Sequence, residues 1–143
     1  MKQLIALGGL FFLLGTLSVT AQDIFGKWKT IDDETGKEKS IVEIYEKGGR
    51  VYGKVVEILN KEKLDAKCDK CNGDKKGQPI LGMVIIEGLE KDGNTYSGGS
   101  ILDPNKGKEY RCKLWVDESD PDKLNVRGYV AFFYRTQNWF RVQ

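Results

Sequence analysis

The sequence predicts an all-β fold, an eight-stranded antiparallel up-and-down barrel in a single domain. Runs of β-branched and aromatic residues recur along the chain, separated by clusters of Gly, Asp, Asn and Pro. No segment carries a helical stripe of apolar residues. Several of the 17 glycines lie inside the predicted strands, where a small, strongly coiled barrel needs sharp bends. A barrel also removes both sheet edges, whereas a Greek-key sandwich with the same strand count is the alternative.

Eight strands follow from these runs, at residues 25–31, 39–46, 50–59, 80–90, 95–102, 108–117, 123–130 and 136–142. Alternation is clearest in the sixth strand, where the even-numbered residues from Tyr110 to Val116 point to one face and predict its burial. The fourth strand is apolar on both faces, so we expect a cover on its outer side or a contact with a partner. The segment 60–67 is the one polar stretch suited to a helical turn.

The first 21 residues have the features of a cleaved secretory signal peptide. Lys2 gives a basic start, the segment 4–19 is apolar apart from two hydroxyl residues, and small residues end at Ala21. The apolar run is short for a membrane anchor and no basic stop signal follows it. We therefore expect an exported protein, periplasmic or secreted, whose mature single domain comprises residues 22–143 and contains no transmembrane segment.

The composition excludes several classes of function. The chain has no histidine, which rules out Ser-His-Asp and Cys-His catalytic triads and histidine-rich zinc sites. Its 23 Lys and Arg against 21 Asp and Glu leave a formal charge of +2, far from the basic footprint of a nucleic-acid-binding domain. No catalytic set is recognisable. We therefore expect no enzyme, no metal, no cofactor and no nucleic acid partner.

The links between strands of an up-and-down barrel alternate between its two ends. One end receives the long or unusual links, at residues 32–38, 60–79, 103–107 and 131–135, and the other end receives short turns. The acidic run 32–34 in the first link is interpreted as a solvated turn. This asymmetry predicts a mouth opposite a closed floor, which is the layout of a barrel that holds one small ligand.

Gly26-Lys27-Trp28 in the first strand, together with Arg141 near the end of the last, resembles the signature of the calycin superfamily, which includes the lipocalins. In those barrels the arginine packs over the tryptophan at the closed end. The resemblance therefore implies that Trp28 and Arg141 form the barrel floor, in contact through a cation–π interaction.

A second resemblance covers nearly the whole mature chain. Its motifs are Gly26-x-Trp28-x-Thr30, Cys68-x-x-Cys71, Lys76-Gly77-Gln78-Pro79-Ile80-x-Gly82-Met83, Ser97-Gly98-Gly99-x-Ile101-x-Asp103-Pro104, Gly107-Lys108-x-Tyr110, Arg127-Gly128-Tyr129 and Arg135-Thr136-Gln137-x-Trp139. This set is similar to the small exported bacterial proteins of domain-of-unknown-function family 2147. The resemblance implies export and a calycin-like barrel, and it brings no catalytic residues because no activity is established for that family.

Cys68 and Cys71 lie in the long link between the third and fourth strands. In an oxidising compartment, a disulfide between them is the expected outcome. Pairing of either residue with Cys112, which points inward on the sixth strand, stays open, as do redox exchange and a metal-binding role. An unpaired Cys112 behaves as a small buried hydrophobic residue.

Phe132, Phe133 and Tyr134 form an aromatic corner at the predicted mouth. They either rim a ligand entrance, dip into a membrane surface, or belong to longer strands in which the rings alternate between core and surface. Tyr110, inward and near the mouth, supplies a polar group inside the cavity. We predict that these four residues bind a small hydrophobic or lipid-like ligand. The alternative is a filled barrel that binds an envelope protein partner through the fourth strand or Trp115.

Overall fold

The structure is a computed structural model that describes residues 8–15 and 23–143. The predicted cleavage site after Ala21 lies outside the described residues, so the leader and the start of the mature domain stay predictions. Within the described part of the chain, no helix is both long enough and apolar enough to span a membrane.

Residues 23–143 form a closed barrel of eight antiparallel strands in sequence order. The strands are β1 (Gly26–Ile31), β2 (Glu38–Lys47), β3 (Arg50–Ile58), β4 (Val84–Asp92), β5 (Thr95–Asp103), β6 (Lys108–Val116), β7 (Lys123–Val130) and β8 (Phe133–Arg141). The predicted fold class is confirmed, and the sandwich alternative is wrong because β1 also pairs with β8. Two 3-10 turns, Lys61–Lys63 and Gly73–Lys75, lie in the link of residues 59–83.

The end of the barrel at which β1 begins and β8 ends is closed by Arg141 and by the segment before β1. The guanidinium carbon of Arg141 lies 4.3 Å from the centroid of the Trp28 ring. Its terminal nitrogens donate hydrogen bonds to the carbonyl oxygens of Phe25 and Asp23. The indole nitrogen of Trp28 donates to the carbonyl oxygen of Ile24 at 2.8 Å, and the Ile24 side chain is buried. The structure thus brings Trp28 and Arg141 together at the barrel floor.

Alternate residues of the strands point inward and fill the floor and middle layers of the barrel. The largest of these side chains are almost completely buried: Trp28, Ile44, Ile86, Leu89, Leu114, Leu124 and Val42. An internal space large enough for water would leave its lining side chains accessible to water. These layers are therefore occupied by close-packed side chains.

Two glycines are required where neighbouring strands approach closely. At Gly53, a Cβ atom would lie 3.0 Å from the side chain of Ile86, which fills the interior above it. At Gly99, a Cβ atom would lie 2.1 Å from the carbonyl oxygen of Glu87, which is backbone and cannot move aside. Both glycines are inside strands, at positions where the closed barrel has no room for a side chain.

β4 begins at Val84, whereas the sequence predicts a strand from Ile80. The chain turns at Gly82, which has a φ of +87°, and the amide of Met83 donates to the carbonyl oxygen of Ile80. A left-handed residue at this point interrupts an extended strand. The apolar run therefore continues through a turn that hydrophobicity alone does not reveal.

β8 begins at Phe133, three residues before the predicted start at Thr136. Ala131 and Phe132 form a two-residue turn, and Val130 of β7 pairs with Phe133. Two-residue hairpin turns favour Gly, Asn or Asp because of their positive φ, and here Ala131 adopts a φ of +49° instead. The sequence lacked the usual turn signal, so the hairpin was predicted as a longer corner.

The link of residues 59–83 packs against the outer face of β4 and β5. Ile85 and Leu102 face outward on these strands, yet they expose only 7% and 4% of their surface. They belong to the same buried cluster as Cys68 and Cys71 of the link. The apolar outer face of the fourth strand is therefore covered within the monomer.

Trp28→Ala is expected to lower the free energy of unfolding by about 3–5 kcal/mol, because it removes a fully buried ring and leaves a cavity beneath Arg141. Urea denaturation followed by far-ultraviolet circular dichroism measures the change. Trp115→Ala is the matched control, since this half-buried ring lies on the outer wall, and its loss should be less than half as large. Equal losses would contradict the central role of the floor.

Asp117 should make the stability of the protein depend on pH in acid. Its carboxylate accepts hydrogen bonds from the hydroxyl and amide of Ser119 and from the Asn125 side chain, which hold the pKa of Asp117 below its ordinary value of 3.8. The charged form thus favours the folded state, and this contribution is present above the unfolded pKa and lost as the pH falls below it.

The test is the difference in free energy of unfolding between the wild type and Asp117→Asn, measured as a function of pH. We expect this difference to be constant above about pH 5 and to shrink as the pH falls through 3.8. A difference that stays constant down to pH 2 would show that the Asp117 charge does not stabilise the turn.

Candidate functional site

The mouth is the end of the barrel opposite the floor, and four links border it, at residues 32–37, 59–83, 104–107 and 131–132. The longest link does not cross the mouth. It lies along the outer wall, where Nζ of Lys75 is 2.8 Å from the carboxylate of Glu87. Gly107 fixes its position further, because a Cβ atom there would lie 2.0 Å from the carbonyl oxygen of Lys70. The link thus packs on the outer wall and against the mouth link of residues 104–107.

Above the packed layers, four inward-facing residues are only half-buried, and we call the space that they border the vestibule: Ile58, Ile101, Tyr110 and Gly128. Strand register gives their orientation, since Ile101 pairs with Tyr110 and Ile58 pairs with the buried Ser40. Gly128 leaves room beside Tyr110, because a Cβ atom there would lie 3.5 Å from the Tyr110 Cβ. These four residues give the vestibule mainly apolar walls and one phenol, and the half-buried Gln137 of β8 faces the same side of the sheet.

The bottom of the vestibule is sealed by Thr30, Ser40 and Cys112. The hydroxyl oxygens of Thr30 and Ser40 are 2.7 Å apart and share a hydrogen bond, which satisfies both polar groups at a buried position. Burial raises the pKa of the Cys112 thiol to about 12. Because the thiolate is the reactive form, Cys112 is a poor nucleophile at neutral pH.

The acidic run at residues 32–34 divides between a turn and the rim of the mouth. Asp32 accepts hydrogen bonds from the amides of Glu34 and Thr35, which lower the pKa of Asp32, as expected for a solvated turn. Asp33 instead faces β8. Asp32 therefore stabilises the turn, whereas Asp33 contacts β8, because successive residues of the turn point in different directions.

A polar chain of side chains on β8 meets Asp33 at the rim. Nη2 of Arg135 lies 3.0 Å from the Asp33 carboxylate, and the side-chain amide of Gln137 donates a hydrogen bond to the same oxygen. The indole nitrogen of Trp139 donates in turn to the Gln137 carbonyl oxygen at 3.3 Å. The Arg135 side chain stays 65% exposed, so its guanidinium keeps donors that face solvent at the mouth.

The structure does not bring the four predicted ligand-binding residues together. Tyr110 lies in the vestibule, and Phe133 reaches the rim with 77% of its surface exposed. Phe132 lies on the turn and is 97% exposed. Tyr134 points away from the interior and packs on Arg127 of the outer wall, 4.2 Å from the guanidinium carbon to the ring centroid. Tyr134 therefore does not line the mouth, because alternation along β8 turns it outward.

The cysteines adopt the expected pairing. Cys68 and Cys71 form a disulfide and Cys112 is free and buried. A link folded over the mouth would bring the pair close to Cys112, but the link lies on the outer wall, so that alternative is wrong. In the described part of the chain, no group of three or more Cys, Asp or Glu side chains is arranged to hold a metal ion.

Two depressions lie outside the barrel wall. The larger has a volume of about 540 Å³ and is lined by Arg50, Tyr52, Glu87, Gly88, Gly98, Gly99 and Ser100. The smaller has about 260 Å³ and is lined by Ser97, Gly98, Arg111, Cys112, Lys113 and Tyr129. Both exist because Gly98 and its neighbours lack side chains where β5 bulges. The smaller depression reaches Cys112, the inward residue that also lies at the bottom of the vestibule.

Sequence reasoning missed most of the mouth. If β8 is extended to Phe133, its alternation places Arg135 and Gln137 on the same side as Trp139, so both could have been predicted at the mouth. Asp33 was not available, because it is about 100 residues from its partners and only the closed barrel brings it to them. Gly128 was recognised as a bend within its strand, whereas its contribution to the vestibule comes from the position of Tyr110 on the neighbouring strand.

Comparisons with known proteins place the chain in a family. A family model described as "Uncharacterized protein conserved in bacteria (DUF2147)" matches residues 26–141. Protein HP1028 from the human pathogen Helicobacter pylori, stated to belong to the lipocalin family, is a similar solved structure with a TM-score of 0.72. The two are 21% identical over 85% of this chain and 84% of that chain, so the likeness shows the fold alone. No curated protein matches the chain.

Alkylation with iodoacetamide tests the cysteine arrangement. We expect no labelled thiol in the folded protein, one after denaturation and three after denaturation with reduction, because Cys112 is buried and the other two are paired. Mass spectrometry counts the labels. A labelled thiol in the folded, unreduced protein would contradict this arrangement and would show that one cysteine is accessible and reactive.

Proposed function

Since the chain belongs to the bacterial DUF2147 family, whose members are described as uncharacterized, we propose a function from the lipocalin-like barrel itself: non-enzymatic binding of a small hydrophobic or lipid-like ligand in the vestibule. The supporting observation is the change in burial along the interior. Ile58, Ile101 and Tyr110 are half-buried, whereas the layers below them are sealed. This change in burial supports the open end as the place where a ligand would bind.

The shape of the vestibule limits the size of the ligand. Trp28 and Leu114 are fully buried in the layers beneath, so a long acyl chain has no room along the barrel axis. We therefore propose a short chain or a compact ring system as the ligand. The ligand is therefore expected to be small and only partly enclosed.

The chemistry of the walls and rim suggests an amphipathic ligand with an anionic group. Ile58 and Ile101 offer apolar contact, and the Tyr110 hydroxyl offers one hydrogen-bonding group. Arg135 offers an exposed guanidinium at the rim, which is suited to a carboxylate or phosphate because of its forked donors. The ligand would lie with its apolar part inward and its charge toward Arg135.

Two observations support a protein that binds rather than catalyses. The chain has no histidine. Of its three cysteines, two form a disulfide and burial raises the pKa of the third. The disulfide also supports the proposal that the protein is exported to the periplasm or beyond, since such bonds persist in oxidising compartments.

The second candidate is an interaction module of the cell envelope with a filled barrel. The sealed floor and middle layers favour it. The outer face of β4 is no longer available to a protein partner, because the link of residues 59–83 covers Ile85. Trp115 remains on the outer wall, where the guanidinium carbon of Arg127 lies 4.9 Å from its ring centroid.

Binding of the fluorescent probe 1-anilinonaphthalene-8-sulfonate, which joins apolar rings to an anionic group, tests the vestibule. We expect Gly128→Val to weaken binding by about tenfold or more, because its side chain fills the space beside Tyr110. We expect Arg135→Gln to weaken binding by about tenfold through loss of a charged hydrogen bond. Fluorescence titration measures both dissociation constants.

Asn138→Val is the matched control, because Asn138 lies on β8 but faces outward. It should leave the dissociation constant unchanged. Circular dichroism establishes that each variant keeps its fold. Equal affinity of Gly128→Val and wild type would show that the probe binds elsewhere, which would favour the filled-barrel module.

A further inference from the structure

We propose that the tip of the β7–β8 hairpin and the outer face of β6–β8 dock onto a membrane surface rich in anionic phospholipid. We call this surface the basic aromatic face, and it comprises Arg111, Lys113, Trp115, Arg127, Tyr129, Val130, Phe132, Phe133 and Tyr134. Its outer-wall residues lie on the opposite side of the sheet from the vestibule, whereas Phe133 at the tip also borders the rim of the mouth. The proposal does not depend on a ligand bound in the vestibule.

The hairpin tip is apolar and projects into solvent. Phe132 exposes 97% of its surface, Phe133 exposes 77% and Val130 exposes 52%. These three residues are adjacent, because Val130 pairs with Phe133 across the two-residue turn. A contiguous exposed patch of this kind marks an interaction site, and aromatic rings at a protruding tip favour insertion at the boundary between headgroups and acyl chains.

Cations lie directly behind this tip on the outer wall. Arg111, Lys113 and Arg127 face outward, since their strand neighbours Cys112 and Val126 are buried inside. Lys113 and Arg127 are paired across β6 and β7. Within the described part of the chain, none of the three cations forms an ion pair with a carboxylate.

Aromatic side chains hold Arg127 in a fixed position. Its guanidinium carbon lies 4.9 Å from the Trp115 ring centroid and 4.2 Å from the Tyr134 ring centroid. Its Nε donates a hydrogen bond to the Thr136 hydroxyl at 2.8 Å. The terminal nitrogens are left to donate outward, and a guanidinium ordered in advance loses less entropy when it binds a phosphate.

The charge of these strands is strongly one-sided. β6, β7 and β8 together carry seven Lys and Arg and one carboxylate, Glu109, whereas the whole chain carries 23 Lys and Arg and 21 Asp and Glu. Three of the seven, Lys123, Arg135 and Arg141, pair with carboxylates of the links, so the cations of the basic aromatic face are among the four that remain. Glu109 lies 4.0 Å from Nζ of Lys75 and so faces the neighbouring link. No Asp or Glu follows Asp122 in the sequence. A partner of opposite charge is therefore an anionic surface.

The order of side chains from the tip favours a bilayer over a soluble polyanion. The phenylalanines come first, then Tyr129 and Tyr134 with ring centroids 6.2 Å apart, and then Arg127. Arg127 is three residues behind Val130, or about 10 Å along the strand. Apolar rings, interfacial tyrosines and phosphate-binding cations follow one another in this way across a membrane surface. A soluble polyanion would use the cations alone.

Cosedimentation with phospholipid vesicles tests the proposal. The protein is recovered after export, and its mass is measured so that every variant has the same N-terminus. We expect binding to vesicles of phosphatidylethanolamine with phosphatidylglycerol, much weaker binding to phosphatidylcholine vesicles, and a decrease with added salt. Phe132→Ser with Phe133→Ser should weaken binding by about tenfold or more, and Arg111→Gln with Lys113→Gln by about tenfold.

Two matched controls lie on other parts of the wall. Lys27→Gln with Lys54→Gln removes two exposed cations from β1 and β3, and Phe140→Ser removes an exposed ring near the floor. Both should leave vesicle binding unchanged. No binding to anionic vesicles, equal losses in the controls, or binding unaffected by the phenylalanine replacements would overturn the proposal. Binding confined to soluble polyphosphate would overturn it as well, because the tip would then have no role.

Discussion

The contact between Arg141 and Trp28 is the interaction on which the rest of the barrel depends. Between the described strands β1 and β8, the ladder comprises two residue pairs, Trp28 with Arg141 and Lys29 with Phe140. The amide of Val142 adds a backbone hydrogen bond to the Lys27 carbonyl oxygen, and side chains complete the closure of this short seam. The Arg141 guanidinium covers the Trp28 ring and ties the segment before β1 to the end of β8. Both ends of the folded chain are thereby held in one place.

The sealed floor determines where the protein can bind anything. Side chains fill the lower and middle layers, so the space that remains is the vestibule at the mouth and the outer wall. The disulfide-bearing link covers one side of that wall, over Ile85 and Leu102. The other side, formed by β6–β8, keeps its aromatic and basic side chains on the surface. Because side chains fill the lower barrel and the link covers one wall, binding is left to the vestibule and to the outer wall of β6–β8.

The number of strands, the closed topology and the inward set of β6 were all predictable from the sequence, because alternation and turn residues are local signals. Tyr110 and Cys112 were placed correctly on the inner face for that reason. The start of β8 was left open by the sequence, which allowed either a corner or longer strands, because Ala131 and Phe132 are unusual in a two-residue turn. The longer strands are confirmed. With the shorter strand, Tyr134 was expected to line the mouth, whereas in the structure it lies on the outer wall.

The sequence by itself determined the fold class, the family and the strand directions, because each depends on motifs or on residues close together in the chain. It predicted the disulfide between Cys68 and Cys71 but left pairing with Cys112 open, and the structure decided between them. Only the tertiary structure decided which residues meet at the mouth and what covers each face. Asp33 finds Arg135 and Gln137 through barrel closure, and the link of residues 59–83 lies on the wall because buried apolar contacts hold it there. Such contacts join residues that are far apart in the sequence, so alternation and turn residues, which are local, do not predict them.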